Sequence, residues 1–374
     1  MSGMTSFRLY RGSQAKQRAQ LSPIGLEFAD QCINLVQLER AHPPMIKAYA
    51  SLPYPLERAE LLKSPAGLKS FLKSTLASGA FSGRRIVTAL PAEDVRILSV
   101  TYQVKPNESD DHAIAKLMQE RVGDDLGQFV IDYVPVRTES RDGDRLALVL
   151  LSEHSIVMAH LELLRKAGLE VLHMEVSPVA VRRLVSTLIA AGSAPQNVLV
   201  INAGERKTYL TMVSGQRLLS DQEFDFGEGP VLEQISIALD APRDVAREIV
   251  FRHGLNPSGK TRTAYEEIDE TSSSNTILTI ARPHFSSLVA EIRRAVLFAS
   301  SETRGGQIGH AFLMGSIARW PGAAALLSHL ADMPVTVPTP LPFATELGVD
   351  TDAESHPELV VASGLALRGF IDDA

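Results

Sequence analysis

Cysteine, aromatic residues and long apolar runs are all scarce in this chain. One Cys and one Trp occur in 374 residues, and aromatics make up 6%. A single thiol, Cys32, closes no internal disulfide, which fits a reducing compartment, and in a predicted strand it reads as a small buried hydrophobe. No stretch approaches the roughly 20 apolar residues that cross a bilayer. The longest, Leu146 to Leu151, has the length of a buried strand. No signal-peptide core is present, so export is not expected. Positive charge is not in excess either: the formal net charge is −7, which gives bulk nucleic-acid binding no support. The ten histidines are scattered without H-E-x-x-H or Cys/His spacing, so no zinc site is expected.

What remains is the composition of a globular protein, 45% hydrophobic and 22% charged, long enough for one large core or two moderate ones. The most informative stretch is Val198-Leu-Val-Ile-Asn-Ala-Gly204. It is an apolar run ending in a small-residue turn, followed by alternating runs at 207–213 and 217–224 that are joined through Ser214-Gly215. This pattern reads as three strands hairpinned together. The same pattern occurs as Ile24 to Phe28, Ile33 to Glu39 and Met45 to Ser51, and laying Glu27 on Asn202 puts Ala29 on Gly204. The chain therefore carries an internal duplication. Duplicated three-strand units with a cleft between two halves are the plan of the actin-like, or RNase H-like, α/β fold. There the two turns face one nucleotide, backbone N–H groups hold phosphates, and an acidic residue before each turn holds Mg²⁺ through water.

The expected organisation follows. Residues 1–22, with Arg8, Arg11, Lys16 and Arg18 and no acid, form a flexible basic arm. Residues 23–90 and 169–195 make the first half, interrupted at 91–168 by a compact βαββα subdomain. Residues 196–374 make the second half, with an outer subdomain at about 226–305. Within it, Phe226-Gly-Glu-Gly229 leads into a helix from Pro230, a polar solvated loop runs over 256–276, and a long helix spans Phe285 to Glu302.

Several short motifs have plain structural explanations. Gly254-Leu-Asn-Pro-Ser-Gly-Lys260-Thr261 fits the phosphate-loop pattern but follows a helix rather than a strand, so Gly254 reads as an αL helix stop. Ser70-Phe-Leu-Lys73 matches S-x-x-K on a solvated helix face. Asp110-Asp111 and Asp124-Asp125 mark helix ends and turns rather than an acid/base pair.

"IGLEFADQCINLVQL", "HMEVSPVAV", "FLMGSIARWPGAAALLSHLADMPVTV" and "ASGLALRGF", in this order, resemble the first phosphate strand pair, the inter-half connection, the adenine-side segment and the closing helix of the PilM family. These are type IV pilus assembly proteins, relatives of the cell-division protein FtsA. The resemblance runs from Pro23 to Phe370 and implies an actin-like fold around a nucleotide cleft. It places Glu27, Ala29, Asn202, Gly204, Gly227, Gly229 and Gly315 at the nucleotide site. The departures fall on that chemistry. The usual Asp-x-Gly turns are Glu27-Phe28-Ala29 and Asn202-Ala203-Gly204. The sugar-side acid and lysine align with Arg247 and Val250, and the adenine-side glycine run is Gly315-Ser316-Ile317. A Cβ at Ala29 stands where backbone would approach a phosphate, and Asn202 lacks a formal charge for Mg²⁺. No catalytic residue and no metal ligand are expected, although Glu27 can order water around a metal.

The reading the resemblance favours is a non-enzymatic cytoplasmic scaffold with weak or lost ATP binding. It would be held at the inner membrane by the tail of a PilN-like protein docking near 91–168, and would contact the motor ATPases. The alternatives are a nucleotide-switched protein binding ATP and Mg²⁺, and a small-molecule kinase of the same superfamily.

Overall fold

The computed structural model describes residues 21–41, 44–55, 57–137, 143–190, 192, 194–255, 267–302, 306–338 and 356–370. They form two compact units: one takes the described residues up to 184 and from 361 onward, the other 185–338 and 356–360. The chain thus crosses over inside a helix rather than at the expected 195/196. The end of the closing helix, expected with the second half, folds with the first unit.

In the first unit, β1 (Ile24–Phe28), β2 (Cys32–Glu39), β3 (Met45–Pro53), β4 (Arg85–Leu90) and β8 (Glu170–Val176) form one sheet in the order β3-β2-β1-β4-β8. In the second, β9 (Asn197–Ala203), β10 (Thr208–Ser214), β11 (Arg217–Phe224), β12 (His310–Met314) and β13 (Val335–Thr336) form β11-β10-β9-β12-β13. The two orders are the same once β1 is laid on β9. The registers agree as well: Glu27 faces Asn34, and Asn202 faces Tyr209, seven residues on in both cases. Even the irregularity repeats, with the register shifting after Gln37 in one sheet and after Met212 in the other. Both lie 175 positions apart, as do Glu27 and Asn202. The structure therefore bears out the duplication residue by residue.

The inserted segment follows the expected βαββα order. It comprises β5 (Arg96–Tyr102), α3 (Asp110–Val122), β6 (Phe129–Arg137), β7 (Arg145–Glu153) and α4 (His154–Lys166), with a three-stranded sheet in the order β5-β7-β6. Ser109 caps α3 by accepting from the His112 amide. Asp110 then takes Tyr102 Oη at 2.7 Å and two bonds from Arg145, so the acidic helix start also ties α3 to its sheet. Helix α4 belongs to two cores. It contacts β6 and β7, while Leu163, Leu164 and Ala167 at its end join Ile24, Leu26, Phe28, Leu68 and Leu72 under the main sheet.

The first unit's main core is built around α2 (Pro65–Ala77), capped by Ser64, which buries Leu68, Leu72 and Leu76. Each such leucine contributes about 1.5–3 kcal/mol on leaving water. Ser70 and Lys73 are exposed on its outer face. On the sheet's other side β1 meets α10 (Val360–Leu367) so closely that a Cβ on Gly25 would lie 2.0 Å from the Ala362 carbonyl oxygen and 2.6 Å from the Ala366 nitrogen. Helix α5 (Ser177–Ala190) meets α10 in the same way, since a Cβ on Gly364 would lie 2.1 Å from the Ala180 carbonyl oxygen.

Three expectations change. Leu21 and Ser22, assigned to the arm, join the sheet: Leu21 bridges Glu39 and the buried Ser22 donates its amide to Leu38. Residues 1–20 lie outside the described residues. The stretch 267–276, expected as part of a solvated loop, is the start of α8 (Glu267–Glu302), which runs on through Pro283. The serines and threonines there suggested a loop, but Ile277, Ala281, Phe285 and Leu288 set a helical stripe that is fully buried, and tertiary burial outweighs propensity. Residues 256–266, with Lys260 and Thr261, lie outside the described residues. Gly254 ends α7 (Arg243–His253) with its amide on Val250, and its φ of +67° suits glycine, but at ψ −171° it lies outside the αL region.

Two outcomes are expected. Gly25→Ala forces backbone apart in a packed layer and should cost about 3 kcal/mol, read as a lower urea midpoint with an unchanged slope. His160 of α4 is 7% exposed. Burial, with the nearby Arg58 charge second, lowers its pKa from 6.5 to about 4. The unfolded chain therefore takes a proton first, and the stability this neutral ring contributes should be lost as pH falls from about 6.5 to about 4. The loss should amount to about 3 kcal/mol, and calorimetry across that window should show a flatter profile for His160→Phe.

Candidate functional site

Five of the seven residues assigned to the nucleotide site converge within the second unit, at the C-terminal ends of β9 and β12. Strand β9 ends at Asn202-Ala203, and the turn to β10 closes with the Gly204 amide on the Lys207 carbonyl at 3.0 Å. Beside it, β12 leaves the sheet through Gly315 at φ +85°. A Cβ on Gly315 would lie 2.4 Å from the Ala203 carbonyl oxygen and 2.8 Å from Asn202 Oδ1, so only glycine lets the two strand ends meet. Ser316 Oγ donates to the same Ala203 carbonyl at 3.3 Å.

The third part is the start of α6 (Glu228–Leu239), with Gly227 at its N-cap position. The Glu228 amide donates to the Gly204 carbonyl at 2.9 Å and the Gly229 amide to the Glu205 carbonyl at 2.7 Å. These are two of the free donors that make a helix N-terminus an anion site, and here the β9–β10 turn takes both. The fit is close. A Cβ on Gly227 would stand 2.5 Å from the Glu205 carbonyl oxygen, and one on Gly229 would stand 2.8 Å from both Glu205 Oε1 and Arg243 Nη2.

Charge closes the arrangement. Glu228 is fully buried, and its carboxylate accepts from Trp320 Nε1 at 2.8 Å and lies 3.5 Å from Arg247 Nη2. Glu205 pairs with Arg243 and lies 3.6 Å from Arg247. Two carboxylates thus meet two guanidiniums, and the acid on the first turn of α6 suits the helix dipole. Sequence reasoning missed Glu205, Glu228, Arg243 and Trp320. The one available signal was that the chain's single tryptophan precedes Pro321 in the adenine-side segment, since a buried indole N–H needs an acceptor.

Glu27 and Ala29 belong to the first unit. Glu27 Oε2 accepts from Nδ2 of the buried Asn34 across the β1–β2 hairpin at 3.0 Å. The Ala29 carbonyl accepts from Tyr54 Oη at 2.9 Å, and burial pushes the Tyr54 hydroxyl pKa upward. Strands β1 and β4 end side by side, and so do β9 and β12, in the topological position where open α/β sheets place ligands.

Removing the indole donor leaves a buried carboxylate short of its best neutral partner. Trp320→Phe should therefore destabilise the protein by about 3 kcal/mol, with Glu228→Gln in the same background recovering part of the loss in urea titrations followed by circular dichroism.

A family model for the type IV pilus assembly protein PilM matches residues 25–370. No curated protein matches. Among solved structures, the chain is similar to one described as a PilM-PilN type IV pilus biogenesis complex, with 24% identity and a TM-score of 0.70 over 94% of this chain and 99% of the other. It is also similar to the ethanolamine utilization protein EutJ from Carboxydothermus hydrogenoformans. That match has 13% identity and a TM-score of 0.53 over 94% of this chain and 91% of the other. At these identities the likeness concerns the fold, which is actin-like. No helix among the described residues is long and apolar enough to cross a membrane. With residues 25–370 matched by that model, the chain belongs to the PilM family of type IV pilus assembly proteins.

Proposed function

We propose that this protein is an actin-like scaffold of a type IV pilus or related assembly machine. It works by holding partners rather than by turning over ATP. The observation that carries the loss of nucleotide binding is the docking of the β9–β10 turn onto α6. The Glu228 and Gly229 amides, which a phosphate would need, already donate to the Gly204 and Glu205 carbonyls. A phosphate arriving there would have to displace those carbonyls and face Glu205 and Glu228, whose charges are matched by Arg243 and Arg247. Asn202 adds no charge for Mg²⁺, and Glu27 is hydrogen-bonded to Asn34.

The partner reading rests on the family and on the PilM-PilN complex it resembles. By that analogy the cytoplasmic tail of an inner-membrane PilN-like protein docks near the inserted segment and holds this chain at the membrane, while the motor ATPases are engaged from the same frame. Within 91–168 the exposed large apolar side chains are Leu98 on β5, Val130 on β6 and Met158 on α4, and these are the positions to test first.

Titration calorimetry with ATP and Mg²⁺ should give no saturable heat up to millimolar nucleotide. A peptide of the PilN-like tail should bind equally well to the wild type, Glu27→Ala and Asn202→Ala, and more weakly to Met158→Ser or Leu98→Ser. Micromolar ATP binding abolished by Asn202→Ala would overturn the scaffold reading in favour of a nucleotide-switched one.

A further inference from the structure

Each of the three sheets has two outer strands, which pair on one side only among the described residues. An outer strand is a template for pairing with another chain, and proteins block it with charge, proline, an irregular register or short length. Five of the six outer strands carry such a device. Strand β3 has Lys47, Pro53 and an irregular register, β8 has Glu170 and Glu175, and β11 has Asp221 and Glu223. Strand β13 is two residues long, and β6 has Asp132, Pro135 and a register shift after Pro135. The sixth is β5, Arg96-Ile-Leu-Ser-Val-Thr-Tyr102. It has no proline, lysine or acid, and it stays in unbroken register with β7 from end to end.

The two ends of β5 carry opposite charge. Arg96, Leu98, Val100 and Tyr102 lie on one face, where Val100 and Tyr102 share a core with Ala113, Ile114 and Met118 of α3. Leu98 on this face is 37% exposed. Arg96 is exposed, with no ion pair or hydrogen bond among the described residues. Of the acids just before it, Glu93 is taken by Arg58 of α1 (Arg58–Leu62). At the other end, Tyr102 Oη donates to Asp110, which also takes two bonds from Arg145. A third of the Asp110 side chain remains exposed, and a carboxylate that accepts three bonds has capacity for one more.

Laid antiparallel on itself, with Ser99 opposite Ser99 of a second copy, the strand is self-complementary. Arg96 then falls opposite Tyr102 of the second copy on the same face, within reach of Asp110. Leu98 falls opposite Val100, which covers its exposed surface, and Ile97 falls opposite Thr101. Such cross-strand pairs stabilise a sheet, and no like charges stand opposite one another. A parallel pairing in register would instead set Arg96 against Arg96.

We infer that β5 is a self-association edge, through which two copies of this chain join their three-stranded sheets into one of six strands about a two-fold axis at Ser99. A single strand pair is a small interface, and interfaces below about 1,200 Å² are transient, so the dimer forms reversibly at concentrations on the order of 10–100 μM. This edge is separate from the strand ends assigned to a nucleotide. Leu98 is also a position tested for tail docking, so association is measured with no tail peptide present.

Sedimentation velocity of the full chain across roughly 1–300 μM should show a reversible shift from monomer to dimer. Arg96→Glu sets an acid against Asp110 and should weaken the dimer by about tenfold, with an unchanged circular dichroism spectrum. In a Cys32→Ser background, Ser99→Cys puts two thiols at the axis with Cα atoms about 4.5–5.5 Å apart, within disulfide reach. Mild oxidation should then give a cross-linked dimer. Thr101→Cys, at a position that is also exposed, faces Ile97 of the second copy and should not cross-link. A chain that stays monomeric throughout this range would overturn the inference. So would a dimer that Arg96→Glu leaves intact, or cross-linking as ready in Thr101→Cys as in Ser99→Cys.

Discussion

A sheet that is apolar on both faces has to be covered on both, and in this protein that constraint sets nearly everything else. The central strands of each unit are shut off from solvent on either side: Val198 through Ile201 of β9 are buried on both faces, and in β1 Ile24 and Leu26 line one face while Gly25 touches α10 on the other. Parallel pairing of β1 with β4 and of β9 with β12 requires crossovers that lay helices over those faces. Room is then the scarce quantity. Glycine appears where a helix or strand end must touch backbone: Gly25 under α10, Gly364 against α5 and Gly315 against Ala203. These contacts leave no space for even one added carbon, because close-packed layers shift only by moving whole elements.

The same need for enclosure accounts for the chemistry at the ends of β9 and β12. Burying Glu228 completely would be prohibitive alone, but Trp320 and Arg247 offset much of that cost, while Glu205 in turn engages Arg243 and Arg247. A carboxylate enclosed in this way is weak evidence for stability, though it fixes geometry, since its partners come from separate elements. It ties the β9–β10 turn, α6, α7 and the segment after β12 into one arrangement. A nucleotide cleft needs the opposite: donors held open and an acid kept hydrated for Mg²⁺.

Much of this was legible in the residues. The duplication could be read from two short apolar runs because strand hairpins are local: the turn at Ser214-Gly215 and the alternation beyond it fix the pairing within twenty residues or so. Laying Glu27 on Asn202 reproduces the observed register, down to the repeated irregularity at Gln37 and Met212. Less could be read where long-range burial decides. The stretch 267–276 carries serine and threonine in numbers that suit a loop, yet the stripe from Ile277 to Leu288 fixes it as the beginning of α8. Ser22 looked like part of an arm because nothing nearby reveals that Leu38 and Gln37 bond to it. The arrangement at the ends of β9 and β12 was outlined only through the family resemblance, which grouped Asn202, Gly204, Gly227, Gly229 and Gly315. Its charges were missed, because Glu205, Arg243 and Trp320 are far apart in sequence and meet Glu228 only in the folded unit.

Duplication also makes the two copies a controlled comparison, because matched positions began with the same backbone geometry. At position 27 the side chain is an acid bonded to the buried Asn34; at 202 it is an amide beside Gly315. After the first copy's hairpin the chain brings in Arg58, paired with Glu93. After the second it brings in Arg243 and Arg247, both engaged by acids. The backbone pairing is the same in the two copies, whereas the side chains at the strand ends differ. Strand register and glycine contacts are costly to change, since a one-residue slip reverses every buried side chain. Side chains at strand ends are under no such constraint from the register. The two copies thus agree where packing and register fix the backbone and differ in the side chains at the strand ends.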